Sequence, residues 1–247
     1  MRLLLISALL VPAVCLGPGP SSAQSQSAAQ EGAISGDLSG LSDAQIDERV
    51  AFLTERLNEG QKNAKIWQVG FTTGWSLGVV LSTVQAATTS VKDTRATAIV
   101  TAVKATIGVG RLLIWPHPGA RGADPILAIE GDSRAAKLAR LEAGERQLAR
   151  TAKRGASRKT WLPHLGNVGL NLIGGGVLVG VASTKDGLIS AGVGILAGEV
   201  MLWTMPWRSV QDVADYEKRF DDGLPSKPQV TWSITPRIGG GAIEVTF

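Results

Sequence analysis

Charge is nearly missing from four long stretches of this 247-residue chain, and cysteine, histidine and tyrosine are scarce throughout. The single cysteine, Cys15, excludes an internal disulfide and a thiolate metal cluster. The two histidines, His117 and His164, sit beside prolines with no cysteine or clustered carboxylate near them in sequence. They are read as side chains at a membrane boundary, and no metal ligand, cofactor or catalytic residue is assigned. The pair Gly192 and Gly194 is no dinucleotide loop: no strand precedes it, and Ala197 fills the third glycine position.

The residues that are present are apolar and small. Hydrophobic residues make up 44% of the chain and charged residues only 19%, which is apolar for a soluble protein. They gather in blocks at residues 66–87, 96–115, 162–183 and 187–207, each close to the ~20 residues that a helix needs to cross the hydrocarbon layer. The first and third blocks carry no Asp, Glu, Lys or Arg; the second holds Lys104 and Arg111, and the fourth Glu199. The pattern predicts an all-α membrane protein with four hydrophobic helices in two tandem hairpins, extra amphipathic helices and a small C-terminal β-hairpin.

The expected organisation is as follows. Residues 1–23 read as an export signal, with Arg2 before an apolar run and Ser21 and Ala23 at a cleavage site. Residues 24–41 form a flexible leader of Ser, Ala, Gly and Gln. Residues 42–115 hold an acidic amphipathic helix, capped at Ser42 or Asp43 with Ile46, Val50, Leu53 and Leu57 on one face, and then the first hairpin. Residues 116–160 are a basic connector with ten Lys and Arg, whose helix places Leu138, Leu141, Leu148 and Ala152 on one side. With no aromatic residue there to stack on bases, a solvated face is read in place of a nucleic-acid site, no nucleic-acid partner is assigned, and the acidic helix is preferred to phospholipid headgroups as its partner. Residues 161–207 form the second hairpin. Residues 208–247 form a short helix, whose carboxylates Asp212, Asp215 and Glu217 are read as solvated, and then a hairpin of alternating residues around Gly239, Gly240 and Gly241. Ending in Phe247, this hairpin resembles the last strand of bacterial outer-membrane barrels, although two strands cannot close one.

A constant shift of 88 positions lays Gly110, Arg111 and Trp115 on Gly198, Glu199 and Trp203, which reads as an internal repeat. Arg111 and Glu199 would then lie at one depth, about a turn inside the headgroup region, either paired or snorkelling separately. Lys104, two turns deeper, is the first candidate for a polar path. Gly70, Gly74 and Gly78, with Gly176 and Gly180 and with Gly194 and Gly198, repeat at every fourth residue, a spacing that lets helix backbones approach within the bundle or in a homo-oligomer. Trp67, Trp115, Trp161 and Trp203 are expected to form one aromatic belt.

These features predict a bacterial cell-envelope protein without enzymatic activity. The leading expectation is a structural or interaction scaffold, in contact with lipid and with an envelope partner through the C-terminal hairpin. The alternative is a small channel or transporter using Lys104, Arg111 and Glu199. Sidedness is contradictory: an export signal would leave the basic connector outside, against the tendency for basic loops to stay inside.

Overall fold

The computed structural model describes residue 38, residues 40–220 and the backbone of 231–237 and 240–246. The expected signal segment and most of the leader lie outside the described residues. The expected C-terminal β-hairpin falls where no side chain is described, and it is not established as part of the fold.

Helix α1 (Asp43–Thr88) is 46 residues long and opens on a capping box. The Ser42 backbone N–H donates to Gln45 Oε1 at 2.8 Å, and Ser42 Oγ accepts from the Gln45 N–H at 3.3 Å. At 1.5 Å per residue this helix is about 69 Å long. The acidic helix and the first apolar block, expected as separate helices, are thus one rod. Gln61, Lys62, Ala64 and Lys65 between them are strong helix formers, and the one break signal, Gly60, costs only about 1 kcal/mol.

After a three-residue turn comes α2 (Lys92–Ile114), antiparallel to the second half of α1: Gln68 Nε2 donates to the Leu112 carbonyl at 2.8 Å, and a Cβ on Gly78 would lie 3.5 Å from Ala105. A 3-10 turn (Pro118–Arg121) and the one-turn helix α3 (Asp124–Leu127) lead to α4 (Arg134–Ala156). Helices α5 (Trp161–Val181) and α6 (Thr184–Trp203) make the second hairpin, and α7 (Arg208–Phe220) closes the helical body.

The chain has two interiors of different kinds. The first half of α1, α3, α4 and α7 form a head whose core contains Ile46, Phe52, Leu53, Leu57, Ile126, Leu141, Leu148 and Tyr216. At Gly144 the backbone of α4 presses on α1 so closely that a Cβ would lie 3.0 Å from Leu53. Inside this core Tyr216 donates to Glu145 at 2.6 Å, with both residues buried. On its rim the connector pairs with the acidic end of α1, through Arg134 to Asp43 at 2.6 Å and Lys137 to Asp47 at 2.5 Å, while Arg219 of α7 reaches Glu48 at 2.9 Å.

The hairpins are inverted by comparison, with their large apolar side chains facing outward. Leu77, Leu81, Ile99, Val103, Leu172, Ile173, Leu188, Val193 and Leu196 are all exposed. Among the described residues three helices, α2, α5 and the one begun by α6, are long and apolar enough to cross a membrane, and only 17%, 22% and 28% of their apolar stretches are buried. That is compatible with a membrane protein, since lipid can cover what the fold leaves bare. The fourth expected span, residues 66–87, is helical but does not reach this standard, because Gln68, Thr72, Thr73, Ser76 and Gln85 dilute it.

A second apolar cluster joins the hairpins near the head: Trp67, Leu112, Met201, Leu202 and Met205, flanked by Phe71 and Trp75. Trp67, expected in an aromatic belt, is instead buried, with its indole N–H donating to the Met201 carbonyl at 3.2 Å. Trp115, Trp161 and Trp203 are exposed.

Candidate functional site

A line of polar side chains runs along the inside of the second hairpin. His164, Asn167 and Asn171 stand at spacings of three and four on α5 and therefore share one face. Facing them on α6 are Glu199, the Ile195 carbonyl and Ser190. His164 Nε2 lies 2.7 Å from the Arg158 carbonyl, and its Nδ1 lies 2.6 Å from Glu199 Oε2. Asn167 Nδ2 donates to Glu199 Oε1 and to the Ile195 carbonyl, both at 3.0 Å. Asn171 Nδ2 donates to Asn167 Oδ1 at 3.0 Å, and Asn171 Oδ1 accepts from Lys104 Nζ at 3.2 Å. Lys104 completes the line by donating to the Ser190 hydroxyl and the Ser190 carbonyl, each at 3.0 Å.

The glycines make room for this line. A Cβ on Gly194 would collide with the Asn171 amide and one on Gly198 with that of Asn167, while one on Gly174 would lie 3.0 Å from Lys104 Cδ. Below them α5 and α6 touch backbone to backbone: a Cβ on Gly175 would lie 2.7 Å from the Gly187 carbonyl oxygen. The other expected packing glycines stand differently. Gly70, Gly74, Gly176 and Gly180 have nothing within 4 Å of where a Cβ would be, and Gly78 makes an ordinary contact.

Between the two hairpins lies a cavity of about 420 Å³. Its wall carries Lys104, Arg111, Asn167, Asn171, Ser190 and Asp186, together with Thr97, Thr101 and the ring of Trp75. The Lys104 ammonium is half-buried there, and its three hydrogen bonds all go to neutral oxygens. Glu199 is committed to His164 and Asn167, so of the two alternatives for Arg111 and Glu199 the direct pair is not formed. Arg111 makes no ion pair among the described residues. The matched positions of the proposed repeat therefore have unlike surroundings.

A second cavity, of about 880 Å³, opens where the head meets the hairpins, with Arg56, Arg158 and Arg208 at one end and Gly70, Phe71 and Gly74 at the other. Asp212, expected in solvent, lines it and is only 4% exposed, because α7 turns its Ser209–Asp212–Tyr216 face inward. Burial pushes its carboxyl above the ordinary carboxylate range, with Arg208 at 3.6 Å pulling the other way. His117 is likewise buried, against Trp67 at 5.7 Å between centroids. Its Nδ1 accepts from the Gly119 N–H at 3.1 Å, and burial, aided by the charge of Arg154, lowers its pKa to about 4.

Charge alone marks Lys104, Arg111 and Glu199 in the sequence and leaves Asn167, Asn171, Ser190 and the role of His164 unmarked. The available signal was the 164, 167, 171 spacing of polar residues on an otherwise apolar helix. Among the described residues no cluster of three or more His, Cys, Asp or Glu could hold a metal ion. No protein family, no curated protein and no solved structure matches the chain.

Proposed function

We propose that this chain is an integral protein of a bacterial-type envelope membrane, exported by its N-terminal signal, whose two hairpins hold a small anion between them as a channel or carrier. The observation that carries the reading is Lys104. An ammonium in the apolar layer costs about 2.5 to 3.5 kcal/mol on insertion scales, and it pairs with an opposite charge or with backbone carbonyls. Here its acceptors are neutral, it borders a cavity, and Arg111 lines the same wall. With Asp186 the only carboxylate on that wall among the described residues, their lining charges sum to a surplus of one positive charge. An anion entering the cavity would offset it. The hydrogen-bonded line from Lys104 to His164 gives polar partners from the cavity toward the head. We assign the protein no catalytic step.

The test is chloride and nitrate flux through vesicles containing the purified full-length chain. Lys104→Leu should abolish flux while the helical circular dichroism spectrum is kept. Unchanged flux in that variant, or none in the wild type, rejects the conduit. The scaffold reading then takes its place, and one observation favours it: Arg150 and Lys153 on α4 are exposed, without ion-pair partners among the described residues, and free for lipid headgroups or another envelope protein. In that reading the C-terminal hairpin would engage the protein partner, and the open Gly176 and Gly180 surface would suit a second copy of the chain.

A further inference from the structure

We propose that the larger cavity binds one anionic membrane phospholipid, with its phosphate at Arg158 and Arg208 and an acyl chain along the trough at Gly70 and Gly74. The site goes beyond the anion reading and rests only on the membrane location.

Length is the first argument. The lining residues of α1 run from Arg56 to Gly74, a rise of about 27 Å at 1.5 Å per residue. One leaflet of a bilayer, headgroups included, is about 20 to 22 Å deep. Chemistry changes along that length in the same sense as a lipid does. Arg56, Arg158, Arg208 and Asp212 occupy the head end, and Ile66, Gly70, Phe71 and Gly74 the hairpin end. Among the described residues the trough is open rather than packed, since no neighbouring element comes within 4 Å of a Cβ built on Gly70 or Gly74.

Charge is the second argument. The three guanidiniums share two carboxylates: Glu59 is bonded by Arg208 and lies 3.5 Å from Arg56, and Asp212 lies 3.6 Å from Arg208. Arg158 has neither. It donates to the Trp203 carbonyl at 3.2 Å and stacks on Trp207 at 4.6 Å, which fixes the guanidinium at the rim of the cavity. The surplus of one positive charge equals the charge of one phosphodiester. Ser209 adds an independent sign of an absent partner: it lines the cavity, is 8% exposed, and its hydroxyl is buried with no hydrogen bond among the described residues.

The experiment reconstitutes the full-length chain in vesicles of equal parts phosphatidylglycerol and phosphatidylcholine, re-extracts it in mild detergent, and counts retained lipid by native mass spectrometry. The wild type should keep one phosphatidylglycerol per chain. Arg158→Gln, which removes the unmatched charge, and Gly70→Leu, which fills the trough, should each lower retention at least fivefold; Lys218→Gln, on the exposed side of α7 and outside the cavity lining, should not. Circular dichroism checks that each variant is folded, and if Gly70→Leu is not, Arg158→Gln decides alone. Equal retention of the two lipids, unchanged retention in the Arg158 variant, or displacement of the lipid by millimolar inorganic phosphate overturns the site. A chain that stays dispersed without detergent overturns the membrane reading as well.

Discussion

Gly175 and Gly176 are neighbours in the middle of one helix, yet alanine at each should act in opposite directions. In a helix interior, glycine to alanine gains about 0.5 to 1 kcal/mol by restricting the unfolded backbone. At Gly176 nothing lies within 4 Å of the new methyl group, so the whole gain should remain. At Gly175 the methyl would lie 2.7 Å from the Gly187 carbonyl oxygen and 2.9 Å from Ala191 Cβ. Backbone cannot yield there without separating α5 from α6, and overpacking of this kind costs about 1 to 3 kcal/mol, which exceeds the gain. The net difference between the two variants should be about 1 to 3 kcal/mol. At about 2 to 4 °C per kcal/mol for a chain of this size, Gly176→Ala should raise the melting temperature by a few degrees and Gly175→Ala should lower it. Circular dichroism melts in detergent micelles measure both. If Gly175→Ala melts at or above Gly176→Ala, the two helices do not approach as described, and the polar line that depends on their closeness loses its frame.

Three further outcomes follow from the head and the turns. Because the pKa of His117 is depressed to about 4 from an ordinary 6.5, the folded chain holds it neutral while the unfolded chain protonates first. Its contribution is therefore complete above pH 6.5 and drains away between 6.5 and 4, by up to about 3 kcal/mol; denaturant midpoints at pH 7.5 and 4.5 should converge less in His117→Gln than in the wild type only if this linkage is false. Tyr216→Phe removes a donor from the buried Glu145 carboxyl and should destabilise the head by about 1 to 3 kcal/mol, read as faster limited proteolysis of α4 and α7. Single cysteines replacing Glu130 and Lys218 should react with an impermeant maleimide from one side of the membrane and one replacing Lys92 from the other, since Arg49 on α1 donates to the Phe220 carbonyl and so holds the end of α7 at the head. Labelling of all three from one side would remove the crossing hairpins.

Where the sequence carried a period, it was readable. Ile46, Leu53 and Leu57 on α1 and Leu141 and Leu148 on α4 were predicted by spacing alone, and all are buried in the head. The apolar blocks were equally visible, because a run without charge needs no tertiary information to be seen. What escaped depended on partners distant in sequence. Phe52 enters the core from beside the apolar face of Ile46, Leu53 and Leu57, and Asp212 is buried because α7 docks with Ser209 and Asp212 turned inward beside Tyr216. The polar line between α5 and α6 is hard to see in the sequence because asparagine and serine carry no charge; it takes shape only when α6 supplies Glu199 and α2 supplies Lys104. Matching Arg111 with Glu199 failed for a related reason, since equal depth does not bring two side chains together and the nearer His164 satisfies the glutamate.

The unbroken α1 has a mechanical consequence. One end of this helix is clamped in the core of the head at Ile46 and Leu53, and further along it Trp75 forms part of the wall of the inter-hairpin cavity. With no hinge between them, the helix acts as a lever arm about 69 Å long, and a tilt of about 5° at the clamped end would sweep the far tip sideways by about 6 Å. Whatever leans on the head would thus be felt at Lys104 without any loop having to refold.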